Sequence, residues 1–307
     1  MTEIRENGAP SVGVEAAAEV FTAVLLTNGG TVSATHSQPV GADRPTMPQL
    51  AEFITGLREQ LGDFQRIGVA VPGLVRRATR KVAYSAHIPE HSDLDLEGQL
   101  QAETGLSPVI ENDANAAAYG EFRLGAGRGS NNLFYATLGC GVGGALIIDG
   151  KIWRGAAGFA GEFGYMAINS DGMRLEEMAS AENILRRTMS RFNRDSTSSL
   201  NRLDERSIQL SDILAAAEKG DDFAQMMLAR TGGYVGTAIA SVINLLNIEK
   251  IILGGTIMRA GDVVLKAVAA RARELSFAPS FEVTEIVSGQ LGETAAAIGA
   301  ALLAAEA

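Results

Sequence analysis

Four acidic or amide side chains fall within five residues at Glu111-Asn112-Asp113-Ala114-Asn115. They follow the apolar run Pro108-Val109-Ile110 and precede AAAYGEFRL, so they stand where a strand gives way to a helix. An N-cap accounts for Asn112 or Asp113 taken singly, because one side-chain oxygen there satisfies a free helix N–H. Four polar groups together at a strand end exceed what capping needs, and an ionised Asp113 could take a proton from a hydroxyl group. A second acidic set lies in Gly158-Phe159-Ala160-Gly161-Glu162-Phe163-Gly164-Tyr165, followed by Leu175-Glu176-Glu177. Each carboxylate accepts several hydrogen bonds, so glutamates flanked by glycines could chelate vicinal hydroxyls. Solvated surface glutamate is the plainer alternative.

Two glycine clusters invite a close backbone approach. Leu138-Gly139-Cys140-Gly141-Val142-Gly143-Gly144 looks superficially like a dinucleotide fingerprint, but that motif must open a helix, and ALIIDGKIW behind it reads as a strand and hairpin. A glycine loop between strands could instead present N–H groups to a polyphosphate. A hairpin that merely turns tightly is the other reading. Ile252-Leu253-Gly254-Gly255-Thr256 could let an adenine lie flat against the backbone, and a plain strand-to-helix turn is equally compatible. Cys140 has no histidine near it in sequence, since His36, His87 and His91 all precede it. It reads as a small buried apolar residue rather than a nucleophile.

The elements that must position these groups follow from periodicity. SVGVEA, VFTAVLLT and TVSATHS read as strands, with a turn at Asn28-Gly29-Gly30. A helix is expected from about Met47 to Leu61, and RIGVAV is a buried strand ending at Pro72-Gly73. The middle of the chain repeats the opening. A shift of 122 positions lays Val12 on Phe134, places VEAAAEV over the Gly-rich loop and brings Thr27-Asn28 onto Asp149-Gly150. Agreement of strand, loop, strand and turn points to a duplicated fold. Residues 206–247 look helical, KIILGG is a short strand, AGDVVLKAVAARAREL a helix, FEVTEIVSG a strand and ETAAAIGAALLAAEA a closing helix. Alternation of strands and helices gives an α/β class with two similar halves around a cleft.

Composition narrows the partners. Over 307 residues, 36 Asp and Glu exceed 26 Lys and Arg, which argues against nucleic acid or an anionic membrane as a partner. The single cysteine excludes an intrachain disulfide framework and a Cys-cluster metal site. The polar start MTEIRENGAP, read as a disordered lead-in over 1–10, has no apolar core of a signal peptide. A cytoplasmic protein is expected.

Taken together, ENDANAAAYGEFRLGAGRG, LGCGVGGALIIDGKIWRGAAGFAGEFGY and IILGG resemble the ROK family of sugar kinases and sugar-responsive repressors, from Ser11 onward. The resemblance implies an actin-like (ribonuclease H-like) duplicated α/β fold. A smaller domain would span 11–113 plus 291–307 and a larger one 114–290, and the chain would form a homodimer. It implies that Asp113 is the general base on the 6-hydroxyl of a hexose. Gly73, Asn112, Glu162 and Glu176 would line the sugar site. Gly139, Cys140, Gly141, Gly143 and Gly144 would hold phosphate, with Gly254 and Gly255 near adenosine. The ligands implied are a hexose or amino-hexose, ATP and Mg²⁺, with Glu15 helping to hold the metal.

The chain departs from the family pattern in four places. The first phosphate loop, Asp-x-Gly-Gly-Thr-Lys in the family, aligns approximately with Glu15-Ala16-Ala17-Ala18-Glu19. Tyr165 stands where the family has a zinc-binding histidine, and no Cys-rich loop follows, so no structural zinc is expected. His87 replaces a sugar-contacting asparagine. Only about ten residues precede the first strand, so a DNA-binding helix-turn-helix is not expected. Two functions remain: an ATP-dependent hexose kinase, or a sugar-binding protein that has lost phosphoryl transfer.

Overall fold

Strand β1 (Ser11–Ala16) shows why the first sheet forms where it does. Side chains alternate across a strand, so Val12, Val14 and Ala16 share one face and Gly13 the other. The first face packs into a core with Leu50, Ile54 and Leu57 of helix α1 (Thr46–Leu61). The second lies so close to helix α10 (Ala295–Glu306) that a Cβ on Gly13 would fall 1.8 Å from the Ala297 carbonyl oxygen. An alanine-rich helix against glycine is what allows that approach. Covering both faces explains the near-continuous apolar character of the central strands.

The computed structural model describes residues 9–27, 30–76, 78–191, 197–204 and 207–307. Residues 1–8 of the expected lead-in and Asn28-Gly29 of the expected turn lie outside the described residues. In the first sheet β1 pairs antiparallel with β2 (Val20–Thr27) and parallel with β4 (Arg66–Val71). The full order is β3-β2-β1-β4-β7, with β3 at Thr31–Pro39 and β7 at Val109–Asn112. Between β4 and β7 come a hairpin of β5 (Leu74–Val75) and β6 (Val82–Tyr84), then helix α2 (Leu96–Thr104). Helix α3 (Asp113–Leu124) follows β7 directly.

The second sheet repeats this order as β10-β9-β8-β11-β12. Its strands are β8 (Leu133–Leu138), β9 (Val142–Ile148), β10 (Lys151–Ile152), β11 (Lys250–Gly254) and β12 (Glu285–Ser288). The 122-residue shift carries β1 onto β8 and the start of β2 onto the start of β9, so the duplication read from the sequence is present in the fold. Helices α4 (Glu176–Ala179), α5 (Ala181–Met189), α6 (Leu210–Glu218), α7 (Asp222–Leu246), α8 (Asp262–Leu275) and α9 (Ala278–Glu282) complete the fold.

Two expectations are corrected. The helix expected over 206–247 is two helices, broken where Gly220 adopts φ +85° and Asp221 caps α7 through the Ala224 N–H. The strand expected over 281–289 begins only at Glu285, because Pro279 starts a helical turn that takes up Phe281 and Glu282.

The chain divides into two units, residues 1–131, 145–161 and 290–307 in one, 132–144 and 162–289 in the other. Helix α3 stays with the first unit. A Cβ on Gly299 of α10 would fall 1.7 Å from the Ala116 carbonyl oxygen, so the two helices touch through their backbones. No helix among the described residues is long and apolar enough to cross a membrane.

Candidate active site

In the first unit the functional groups gather where β7 runs into α3. Asn112, at the end of β7, has extended φ and ψ of −64° and 143° and caps α3, its Oδ1 accepting from the Asn115 N–H at 3.0 Å. Capping orients the rest of that side chain. Nδ2 donates to the Gly73 carbonyl oxygen at 3.1 Å and to Asp113 Oδ1 at 2.9 Å. The same Oδ1 accepts the Ala114 N–H at 2.8 Å. Both neighbours thus hold one carboxylate oxygen of Asp113, Oδ1. Burial pushes the Asp113 carboxyl up to about 6, opposed by the Ala114 N–H, the His87 charge and the Asn112 amide. A base poised just below neutral pH suits proton removal from a hydroxyl.

Gly73 and His87 come from the segment after β4. Gly73 allows β5 to fold back on β6, since a Cβ there would lie 2.9 Å from the Tyr84 carbonyl oxygen. The turn is fixed by Ser85, which is buried and donates from Oγ to the Pro72 carbonyl at 2.6 Å while accepting the Ile88 N–H at 3.2 Å. His87 lies exposed just beyond it and favours the ionised form of Asp113. Glu15, on β1, is pushed up to about 8 by burial and by the charges of Asp113 and Glu293. At neutral pH it carries a proton. Of the expected first phosphate loop, Glu15–Glu19, the structure places Glu15 and Ala16 in β1, and Ala17, Ala18 and Glu19 form the short connection to β2. None of the three has a positive φ, so alanine fits there without strain.

In the second unit the glycine loop between β8 and β9 is a tight turn, its Gly139 N–H donating to the Gly141 carbonyl at 2.9 Å. The Ala181 N–H, at the start of α5, donates to the Gly139 carbonyl at 2.8 Å. Glu176 anchors the far side, its Oε2 accepting the Val142 N–H at 2.9 Å. A Cβ at Gly139 would meet only Thr256 Oγ1, at 4.0 Å, so the turn faces open space of the kind a polyphosphate needs. Gly143 and Gly144 belong to β9 itself. Cys140 is exposed, against the expectation of a buried residue, because it occupies the tip of that turn between two glycines.

Gly254 ends β11 and Gly255 follows it. A Cβ on Gly254 would lie 2.2 Å from Tyr135 Oη, and Gly255 has φ +87° with a Cβ position 2.4 Å from the Leu138 carbonyl oxygen. Packing against β8 alone demands both glycines. Glu162 is exposed at the head of a 3₁₀ turn over Phe163–Tyr165, and Gly164 lets that turn press against the Val142 carbonyl. Tyr165 is exposed, with the Arg174 guanidinium 4.4 Å above its ring. Among the described residues no group of three or more His, Cys, Asp or Glu is placed to hold a metal ion.

The structure adds two residues that the sequence did not single out, Arg154 and Glu293. Arg154 joins Asn112 and Asn115 in hydrogen-bonding the buried Glu111, and Glu293 contributes to the charge around Glu15. Arg154 lies 43 positions from Glu111, and no local pattern connects them.

Comparison with known proteins gives consistent relatives. The model of the ROK family matches residues 11–307. A glucokinase of Halalkalibacterium halodurans is 31% identical, over 94% of this chain and 92% of the relative. A xylose repressor of Bacillus spizizenii is 25% identical, over 94% of this chain and 75% of the repressor. The crystal structure of a ROK family glucokinase from Streptomyces griseus in complex with glucose and AMPPNP superposes with a TM-score of 0.87, at 27% identity, covering 97% of this chain and all of the other.

Proposed function

The chain belongs to the ROK family, and from that premise we propose that it is an ATP-dependent kinase that phosphorylates the 6-hydroxyl of a hexose, with Asp113 as general base. The observation that carries this reading is the Asp113 carboxylate, with one oxygen held by Asn112 and Ala114 and a proton affinity near that of a working base. Asp113 takes the hydroxyl proton as the oxygen becomes a nucleophile. Asn112 keeps the carboxylate in place, and the His87 charge favours its ionised form. Gly73, His87, Asn112, Glu162, Tyr165 and Glu176 are assigned to the sugar, and the residue types suit that work, since carboxylate, amide and imidazole edges pair with hydroxyls.

ATP, when bound, supplies the phosphoryl group. The turn of Gly139, Cys140 and Gly141, continued by Gly143 and Gly144, suits its phosphates because the Cβ position of Gly139 opens on free space and Glu176 and Ala181 fix the turn from either side. Gly254 and Gly255 are assigned to adenosine. Glu15 suits Mg²⁺ as a carboxylate that a dication would deprotonate. The likeness to a glucokinase solved with glucose and AMPPNP supports both ligands. We assign the working form as a homodimer.

One observation favours a second reading, a protein that binds a sugar without phosphorylating it. The β1–β2 connection carries Cβ atoms at Ala17 and Ala18 and a carboxylate at Glu19, where a polyphosphate would be met by methyl groups and negative charge. Calorimetry of a hexose and amino-hexose panel, with and without Mg-ATP, separates the two. Sugar binding accompanied by ADP release supports the kinase, and sugar binding with no turnover supports the second reading.

A further inference from the structure

We propose that Arg154 is a positioning residue for Asp113, acting through the carboxylate of Glu111. The inference rests on Asp113 being the base. Glu111 is the residue before the Asn112-Asp113 pair, and its side chain is 8% exposed. Both of its oxygens are used. Oε1 accepts the Asn112 N–H at 2.9 Å and Asn115 Nδ2 at 3.0 Å, so it fixes the backbone at the cap and the residue that Asn112 caps. Oε2 accepts Nε of Arg154 at 2.9 Å and also its Nη2. Two guanidinium donors converge on that one oxygen and, with Oε1 held by Asn112 and Asn115, the carboxylate is fixed in place.

The connection from Arg154 to the base is direct at every link: Arg154 to Glu111, Glu111 to the Asn112 N–H, and the Asn112 amide to Asp113 Oδ1. Arg154 comes from the loop after β10, whose shape is itself held by the Ala160 N–H on the Arg154 carbonyl. The guanidinium also neutralises a carboxylate two positions before the one that the proposed mechanism needs ionised. Without it, the Glu111 charge would oppose ionisation of Asp113 and the base would titrate higher. A residue serving only to anchor its loop would leave that titration where it is.

The test compares wild type with Arg154→Met, Arg154→Lys and Glu111→Gln, all full length and checked for folding by thermal melting. Expected for Arg154→Met is a fall in kcat of about tenfold or more, a sugar Kd within about threefold of wild type, and an acidic limb of the kcat profile moved to higher pH. Arg154→Lys should return the limb toward wild type, since charge is restored, while kcat recovers only in part because the paired donors are lost. Glu111→Gln keeps the hydrogen-bonding shape without charge and should leave the limb at or below its wild-type position, which also serves if Arg154→Met does not fold. A second readout needs no turnover: ¹³C NMR titration of the Asp113 carboxyl, assigned by its loss in Asp113→Asn, should show a higher midpoint in Arg154→Met. Wild type without phosphorylation on any sugar would remove the kinase reading, and the NMR midpoint would still decide the coupling. An unchanged midpoint, or an unchanged limb with kcat and sugar affinity falling by the same factor, would overturn the proposal.

Discussion

The side chain with most to do is Asp113, and its environment makes two demands that pull in opposite directions. Burial raises its proton affinity, while the Ala114 N–H, the His87 charge and the Asn112 amide lower it, and the balance falls at about 6. As the proposed base, Asp113 must be ionised, so turnover should fall as pH drops through about 6 and be fully expressed above it, as a kcat profile would show. Replacing the carboxylate by an amide, Asp113→Asn, should cut turnover by about a hundredfold or more and leave sugar affinity nearly intact, since the amide retains the shape. Turnover equal to wild type would remove Asp113 from the mechanism. Glu15 makes a separate prediction. Its folded carboxyl is raised from the ordinary 4.5 to about 8, so the folded state holds a proton that the unfolded chain releases. Stability from this group is full below about 4.5 and declines as pH rises toward 8. Glu15→Gln should flatten that decline and melt higher than wild type at pH 8, and an identical pH dependence would show that Glu15 ionises freely in the fold. Asp113 and Asn112 were legible in the sequence because the strand end, the cap and the carboxylate proposed as base are contiguous. Arg154 and Glu293 were not, because only the folded chain brings them to Glu111 and Glu15.

At the scale of elements, the two halves differ in the turn that joins their first two strands. The β8–β9 turn has glycine at 139 and 141, and the equivalent β1–β2 turn has Ala17 and Glu19. Ala17 and Glu19 do not have positive φ, so the change costs the fold no strain and falls on what the turn can receive. Ala17→Gly with Glu19→Gly copies the second turn into the first. It should tighten Mg-ATP binding by on the order of tenfold, about 1.4 kcal/mol, as read by calorimetry. No gain, with the melting temperature retained, would show that this turn does not limit nucleotide affinity. The repeat was readable because strand, turn and strand keep their spacing over 122 residues. The ends of α9 and β12 were not, since Phe281 and Val283 alternate with Glu282 and Thr284 as in a strand while Pro279 begins a helix. For Gly254 and Gly255 the structure shows a packing role, and contact with the nucleotide is the proposed one.

For the whole molecule, the defining fact is that the chain returns. Residues 290–307 close the unit that residues 1–131 began. The return is held by Glu121 of α3, whose carboxylate accepts the Gln290 and Leu291 N–H groups at 2.8 Å each and the Ala126 N–H at 2.8 Å. It is then sealed by α10 lying against Gly13, Gly68 and Gly120. Gly299→Val should therefore destabilise by about 1–3 kcal/mol or more, because its Cβ would meet the Ala116 carbonyl oxygen at 1.7 Å and backbone must move. Denaturant melts read this directly, and a stability equal to wild type would mean that α10 can shift away from α3 without loss. The measurement that tests the central claim most directly is ³¹P NMR of the reaction mixture after incubation of the protein with Mg-ATP and each hexose of a panel. The account predicts a sugar 6-phosphate together with ADP for at least one hexose, absent with the matching 6-deoxy sugar and reduced about a hundredfold or more by Asp113→Asn. Binding of a hexose with ATP unchanged across the whole panel, or a sugar phosphate formed equally well by Asp113→Asn, would contradict it.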